Sequence, residues 1–124
     1  MLTKNFSLAE FKCKDGSEVP AKYLANVTKL AKNLQVLRDY VKKPIVLNSA
    51  YRTTNYNRSI GGAVQSQHLT ASAGDIRIAG MTSKEVHATI LKLIAEGKMH
   101  NGGLGLYSTF VHYDVRPTPS RWTL

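Results

Sequence analysis

The sequence predicts an α+β domain, a small and largely antiparallel sheet with helices packed on one face and polar loops over the other. Three observations point there. Apolar residues recur at three-and-four spacing in two long stretches, short apolar or alternating runs lie between and after them, and two capping boxes mark helix starts. The implied order is helix, helix, strand, loop, strand, helix, strand, strand.

Ser7-Leu8-Ala9-Glu10 is the first capping box, flanked by Phe6 and Phe11, and predicts a short helix. Asp15-Gly16 breaks the chain. Pro20 suits the first turn of a longer helix, whose apolar stripe runs Leu24, Val27, Leu30, Ala31, Leu34, Leu37 and Val41 opposite a Lys-rich face. Pro44 ends that helix, and Ile45-Val46-Leu47 reads as a short buried strand. From Asn48 to Thr70 the composition turns polar, with Gly61-Gly62 in the middle, which predicts a long functional loop holding one short helix after Thr53-Thr54. Gly74 to Ile78 alternates, placing Asp75 and Arg77 on one face and Ile76 and Ile78 on the other. Thr82-Ser83-Lys84-Glu85, the second capping box, opens a helix through Val86, Ile90, Leu93 and Ile94 that Gly97 stops. Two closing strands, near Leu104 to Tyr107 and Phe110 to Val115, are joined by a tight turn at Ser108-Thr109.

Length and composition fit one domain spanning residues 1–124. At this size folding buries roughly two-thirds of the unfolded surface, so a core needs no disulfide framework. The single Cys, Cys13, excludes an intramolecular disulfide and reads as a half-buried thiol, not a ligand. Seventeen Lys and Arg against eight Asp and Glu give a net charge of +9, which favours an anionic partner: nucleic acid, a cell-wall polymer or a membrane surface. No run approaches a membrane span, and the first residues lack the apolar stretch of a secretory signal, which predicts synthesis in the cytoplasm.

Of the four His, His87 and His100 read as boundary or surface residues. His68 follows the polar loop and precedes Asp75, and His112 sits mid-strand with Asp114 two residues on. Side chains two apart on a strand share a face, with α-carbons roughly 6.5 to 7 Å apart, so His112 and Asp114 look the same way. His and carboxylate are proper zinc ligands, and three protein ligands with an open fourth position make a catalytic site. That spacing by itself is a weak signal.

The motifs Ser49-Ala50-Tyr51-Arg52-Thr53, Asn57, Gly61-Gly62-Ala63, Ser66-Gln67-His68, Ala73-Gly74-Asp75-Ile76, Gly103-Leu104-Gly105-Leu106-Tyr107 and Phe110-Val111-His112-Tyr113-Asp114-Val115-Arg116 follow in order, and Asn5 to Phe11 precedes them. Together they resemble the M15 metallopeptidases, the D-Ala-D-Ala carboxypeptidases and peptidoglycan endopeptidases, in particular their short phage-type members. The resemblance implies a hedgehog/D-Ala-D-Ala peptidase type of fold with the zinc site on the loop-covered face. It makes His68, Asp75 and His112 the zinc ligands and places Arg52 and Ser66 where the family holds substrate. Asp114 is then either the general base that moves a proton from water to the leaving amine, or a carboxylate that orients a ligand His. Arg52 holds a substrate carboxylate or steadies the oxyanion. One departure is visible: Ala71 and Gly74 stand where the family usually has Gly and Ala.

The expected function is hydrolysis of peptide stems or cross-links of bacterial peptidoglycan, with Zn2+ as cofactor and no covalent intermediate. The resemblance further implies a monomer that acts at the bacterial cell wall after release by a phage or prophage export partner, with no nucleic-acid partner and no membrane insertion. An enclosed pocket would suit a carboxypeptidase, and a groove open at both ends an endopeptidase. Two other classes compete: a non-catalytic wall-binding module that keeps the fold, and a basic nucleic-acid-binding domain. The polar loop lacks the aromatic and Arg pattern of common RNA readers. Tyr51, Tyr56, Tyr107, Tyr113 and Trp122 either shape a groove around the metal or cover the sheet, and Trp122 is expected to tack down the tail without a catalytic part.

Overall fold

The computed structural model describes residues 1–124. Helix α1 (Leu24–Val41), strand β1 (Ile45–Ser49), short helix α2 (Thr54–Ser59), strand β2 (Ala73–Ile78), helix α3 (Ser83–Ala95) and strands β3 (Gly103–Leu106), β4 (Val111–Asp114) and β5 (Ser120–Thr123) follow in that order. The sheet order is β1-β2-β4-β3-β5, antiparallel except for the parallel pair β3 and β5. This is the α+β architecture the helix and strand patterns predict.

The apolar stripes do what their spacing requires. Val27, Leu30, Ala31, Leu34 and Leu37 of α1 and Val86, Ile90 and Leu93 of α3 are buried. They share one core with Ile76, Leu104, Val111 and Tyr113, which point from the sheet to the helix side. The second capping box closes as drawn, with the Thr82 side chain accepting from the Glu85 backbone N–H and the Glu85 carboxylate accepting from the Thr82 N–H at 2.8 Å. In the first, Glu10 accepts from the Ser7 N–H at 2.9 Å, but the turn it starts, Leu8–Phe11, is 3-10.

Several expectations are corrected. Pro20 opens a 3-10 turn, Ala21–Tyr23, before α1 begins. Helix α1 ends ahead of Pro44, because Lys42 takes the left-handed conformation (φ 57°) that closes a helix. Strand β1 is an edge strand and only Ile45 is buried, since the helices cover the sheet centre and not this margin. A second turn, Gln67–Thr70, lies in the polar loop, and a third closing strand, β5, was not anticipated. Four residues flanked by Pro117 and Pro119 carry too little pattern to announce a strand; pairing with β3 makes it one. Cys13 is fully buried in the core, not half-buried.

Ala71 closes the Gln67–Thr70 turn with φ 59°. A left-handed Ala costs roughly 1–2 kcal/mol that Gly avoids, while its buried methyl contributes about 0.8 kcal/mol. We therefore expect Ala71→Gly, measured by urea unfolding, to be neutral or stabilising by up to about 1 kcal/mol, where an ordinary buried Ala→Gly change lowers stability. Gly74 is a milder departure, because the one tight contact a Cβ there would make is with the flexible end of Leu47, at 3.0 Å.

Candidate metal centre

The site is built on a single rung of the sheet. Register places Asp75 opposite His112, His112 opposite Gly105, and Gly105 opposite Trp122. On the other side Ser49 faces Asp75, because the β1–β2 register shifts between Leu47 and Ser49. That irregularity turns the Ser49 side chain toward the site. The rung thus reads Ser49, Asp75, His112, Gly105, Trp122. His68 reaches the same point from the loop, on the turn whose leading residue, Ser66, accepts from the His68 N–H at 3.1 Å.

The hydrogen bonds show which nitrogens are left free to hold a metal. His68 Nδ1 donates to the Ala50 carbonyl at 2.6 Å, which leaves Nε2 as a lone pair. His112 Nε2 donates to Asp114 Oδ2 at 2.7 Å, which leaves Nδ1 as a lone pair. Both free nitrogens face the Asp75 carboxylate, at 3.2 and 3.0 Å, and all three ligand atoms lie within 4.8 Å of one another. Three buried acceptors aimed at one another repel unless a cation or a proton lies between them. Two imidazoles and a carboxylate, with the back of each imidazole fixed by a second partner, are the donor set of a zinc site with room for further ligands.

Burial alone would raise the Asp75 carboxyl, but the close approach of His112 and His68 outweighs it and holds the group well below the usual carboxylate range. Burial likewise pushes His112 down, and Asp114 and Asp75 overcome it, raising the imidazole above its ordinary 6.5. A raised folded pKa means that protonated His112 stabilises the metal-free protein fully below pH 6.5, an advantage lost as pH rises through the raised value. A metal held by His112 would need the Nδ1 lone pair and so would compete with that proton. Zinc affinity is therefore expected to climb with pH across this window. Calorimetry in buffers of different ionisation enthalpy should give about one proton released per zinc near pH 6.5 and progressively less above the raised pKa.

Of the remaining candidates, Arg52 sits beside the three. Its Nε donates to Ser49 Oγ at 3.1 Å, one terminal nitrogen to Asn57 Oδ1 at 3.2 Å and the other to Asp75 Oδ2 at 3.2 Å. Gly62 is required there, since a Cβ would fall 2.0 Å from Asn57 Oδ1. Ser66 lines the same pocket, which has a volume of about 610 Å³. Asp114 does not line it. It is fully buried behind the His112 ring, where it also accepts from the Gly103 N–H at 2.8 Å and from the Arg116 guanidinium at 2.6 to 3.1 Å. These donors, His112 first, hold its carboxyl well below the usual range against the raising effect of burial.

The aromatics divide. Tyr107 and Trp122 line the pocket, Tyr113 is buried in the core, Tyr51 is buried against Tyr23, and Tyr56 packs on the core margin. Trp122 does more than tack down a tail: its ring lies 4.9 Å from His112, its Nε1 donates to the Tyr107 hydroxyl at 3.0 Å, and Arg116 stacks on it at 5.3 Å. Arg116 and Phe110, both within the motif around His112, also line the site without having been singled out. The basic residue two beyond Asp114 was the available signal for Arg116.

A family model described as Peptidase M15 matches residues 4–114. The chain belongs to the M15 peptidases. Peptidases of this family are zinc-dependent, and the donor set fits that metal. The matched stretch holds all three donors, Arg52 and Ser66, whereas β5 with Trp122 lies beyond it. A comparison with curated proteins found no match.

Proposed function

We propose that this M15 peptidase hydrolyses peptide stems or cross-links of bacterial peptidoglycan, with zinc held by His68 Nε2, Asp75 and His112 Nδ1. The observation that carries the reading is the convergence of two imidazole lone pairs, each fixed by a hydrogen bond on its far nitrogen, upon one buried carboxylate. Bound zinc supplies Lewis-acid polarisation of the scissile carbonyl and a more acidic water. The chain's own residues do the rest. Arg52 fixes Asp75 and keeps N–H groups beyond the three already engaged, which suits donation to the carbonyl oxygen as negative charge builds there. Ser66 fixes the backbone under His68 and lines the substrate side. The net charge of +9 favours accumulation on an anionic wall.

Of the two roles open to Asp114, its burial behind His112 supports orientation of the ligand over service as the base. The two roles separate experimentally. Asp114→Asn should lower zinc affinity by roughly 10–100-fold and recover most activity at saturating zinc, whereas loss of a general base would leave zinc bound and cut kcat by roughly 10²–10⁴-fold.

The function itself is tested by incubating purified peptidoglycan with the zinc-loaded protein and separating the products by mass spectrometry. New peptide termini that disappear with chelator are expected. Intact peptidoglycan with tight binding would identify a wall-binding module, and salt-dependent binding of DNA or RNA without metal would identify a nucleic-acid-binding domain.

A further inference from the structure

Tyr107 carries a hydrogen-bonding group that the metal centre leaves unused. Its hydroxyl accepts from Trp122 Nε1 at 3.0 Å and donates to no protein atom. A phenol that accepts through an oxygen lone pair still holds a proton to give. Tyr113, by contrast, donates its proton to the His100 carbonyl at 2.7 Å. Tyr107 lines the metal pocket, so with one side of its oxygen occupied by the indole N–H, the open pocket is the direction left for donation.

The ring that carries this hydroxyl is held on two sides. It stacks on Phe110 with centroids 4.3 Å apart and planes 12° apart, and the Tyr107 N–H to Phe110 carbonyl bond at 3.1 Å closes the turn between them. Trp122 is itself fixed, with its indole over Gly105, where a Cβ would fall 2.3 Å from Nε1, and with Arg116 stacked on its face. A donor fixed before substrate arrives costs less ordering on binding.

Position decides what the hydroxyl can reach. Trp122 touches both Tyr107 and His112, its ring 4.9 Å from the imidazole, so the hydroxyl stands an indole's width from the candidate ligand. That is too far to serve the amide being cut, and suits a group beside it. Tyr107 also lines a second hollow, of about 380 Å³, together with Ser83 and Ser108, and so stands where chain leaving the metal centre passes. A peptide offers a carbonyl acceptor at every residue.

We infer that Tyr107 is a substrate-binding residue, its hydroxyl donating to a backbone carbonyl of the bound peptide next to the scissile amide, an assignment that rests on the peptidase reading above. That carbonyl is unchanged by the reaction, so the bond is equally strong in ground state and transition state. Its loss then appears in KM and not in kcat.

Tyr107→Phe keeps the ring on Phe110 and removes the hydroxyl alone. With zinc-loaded protein and a synthetic peptidoglycan stem peptide, KM is expected to rise roughly 3–10-fold, the worth of one neutral hydrogen bond, while kcat stays within about twofold. Zinc affinity, measured by competitive titration, should not change. Single thioamides placed along the peptide locate the acceptor, because sulfur accepts a hydrogen bond poorly: one position should raise the wild-type KM about threefold or more and leave Tyr107→Phe unaffected. Trp122 is the only Trp, so emission of the free protein reports whether the indole has moved. An unchanged KM, or a thioamide series that treats both proteins alike, overturns the assignment and leaves the peptidase reading standing. Weakened zinc affinity with shifted Trp122 emission also overturns it, by showing that the hydroxyl only props the indole against His112. A wild type that neither binds nor cleaves the peptide overturns both.

Discussion

His68→Ala is expected to remove both zinc binding and peptidase activity. Zinc measured on dialysed protein should drop from near one per chain to near zero. Activity should fall by roughly a thousandfold or more, because the several kcal/mol of transition-state stabilisation that a metal supplies is lost with it. His68 is buried, and its Nδ1–H satisfies the Ala50 carbonyl, so the truncation also leaves that oxygen unpaired at a cost of about 1–3 kcal/mol. Circular dichroism and a melting curve separate this structural loss from loss of the metal. A folded His68→Ala variant that still holds zinc and still produces the same fragments would rule out the metal centre.

Gly103→Ala should be strongly damaging, because the added methyl collides with the carboxylate that backs a candidate metal-binding His. A Cβ at Gly103 would lie 2.2 Å from Asp114 Oδ2 and 2.6 Å from its Cγ. Neither side can yield, because β3 is clamped between β4 and β5 and Asp114 is fully buried. If the carboxylate is driven out, His112 Nε2 and the Arg116 guanidinium lose their partner. Overpacking and the broken buried pair together should cost about 3 kcal/mol or more. Zinc affinity should fall roughly 10–100-fold as His112 loses its orientation. Urea unfolding of the metal-free protein and a competitive zinc titration measure the two effects separately. Gly74→Ala is the control, expected to cost about 1 kcal/mol or less because Leu47 can move aside. Equal behaviour of the two variants would refute the account.

Residues that declare themselves locally were legible. The stripe of α1, the capping box at Thr82, the alternation in β2 and the turn at Ser108-Thr109, closed by the Tyr107 N–H to Phe110 carbonyl bond at 3.1 Å, all depend on neighbours a few positions away. The shared face of His112 and Asp114 was legible for the same reason, since strand side chains alternate with period two. Trp122 was not: its importance comes from a parallel pairing with Gly105, seventeen positions back, where only a glycine leaves room, a Cβ being 2.3 Å from the indole nitrogen. The position of Asp114 behind His112, out of the pocket, was equally hidden, because it rests on the space Gly103 leaves.

The sequence by itself determined the helices, four of the five strands, the ordered motifs of an M15 peptidase and the chemical types able to hold a metal. Only the tertiary structure decided that Ser49, Asp75, His112, Gly105 and Trp122 share a rung, which imidazole nitrogen each His keeps free, and that the two pocket arginines are already paired. The division is physical. Helix periodicity and strand alternation are set by backbone geometry within a few residues, whereas register, tautomer and ion pairing are set by partners that folding brings together from distant points along the chain.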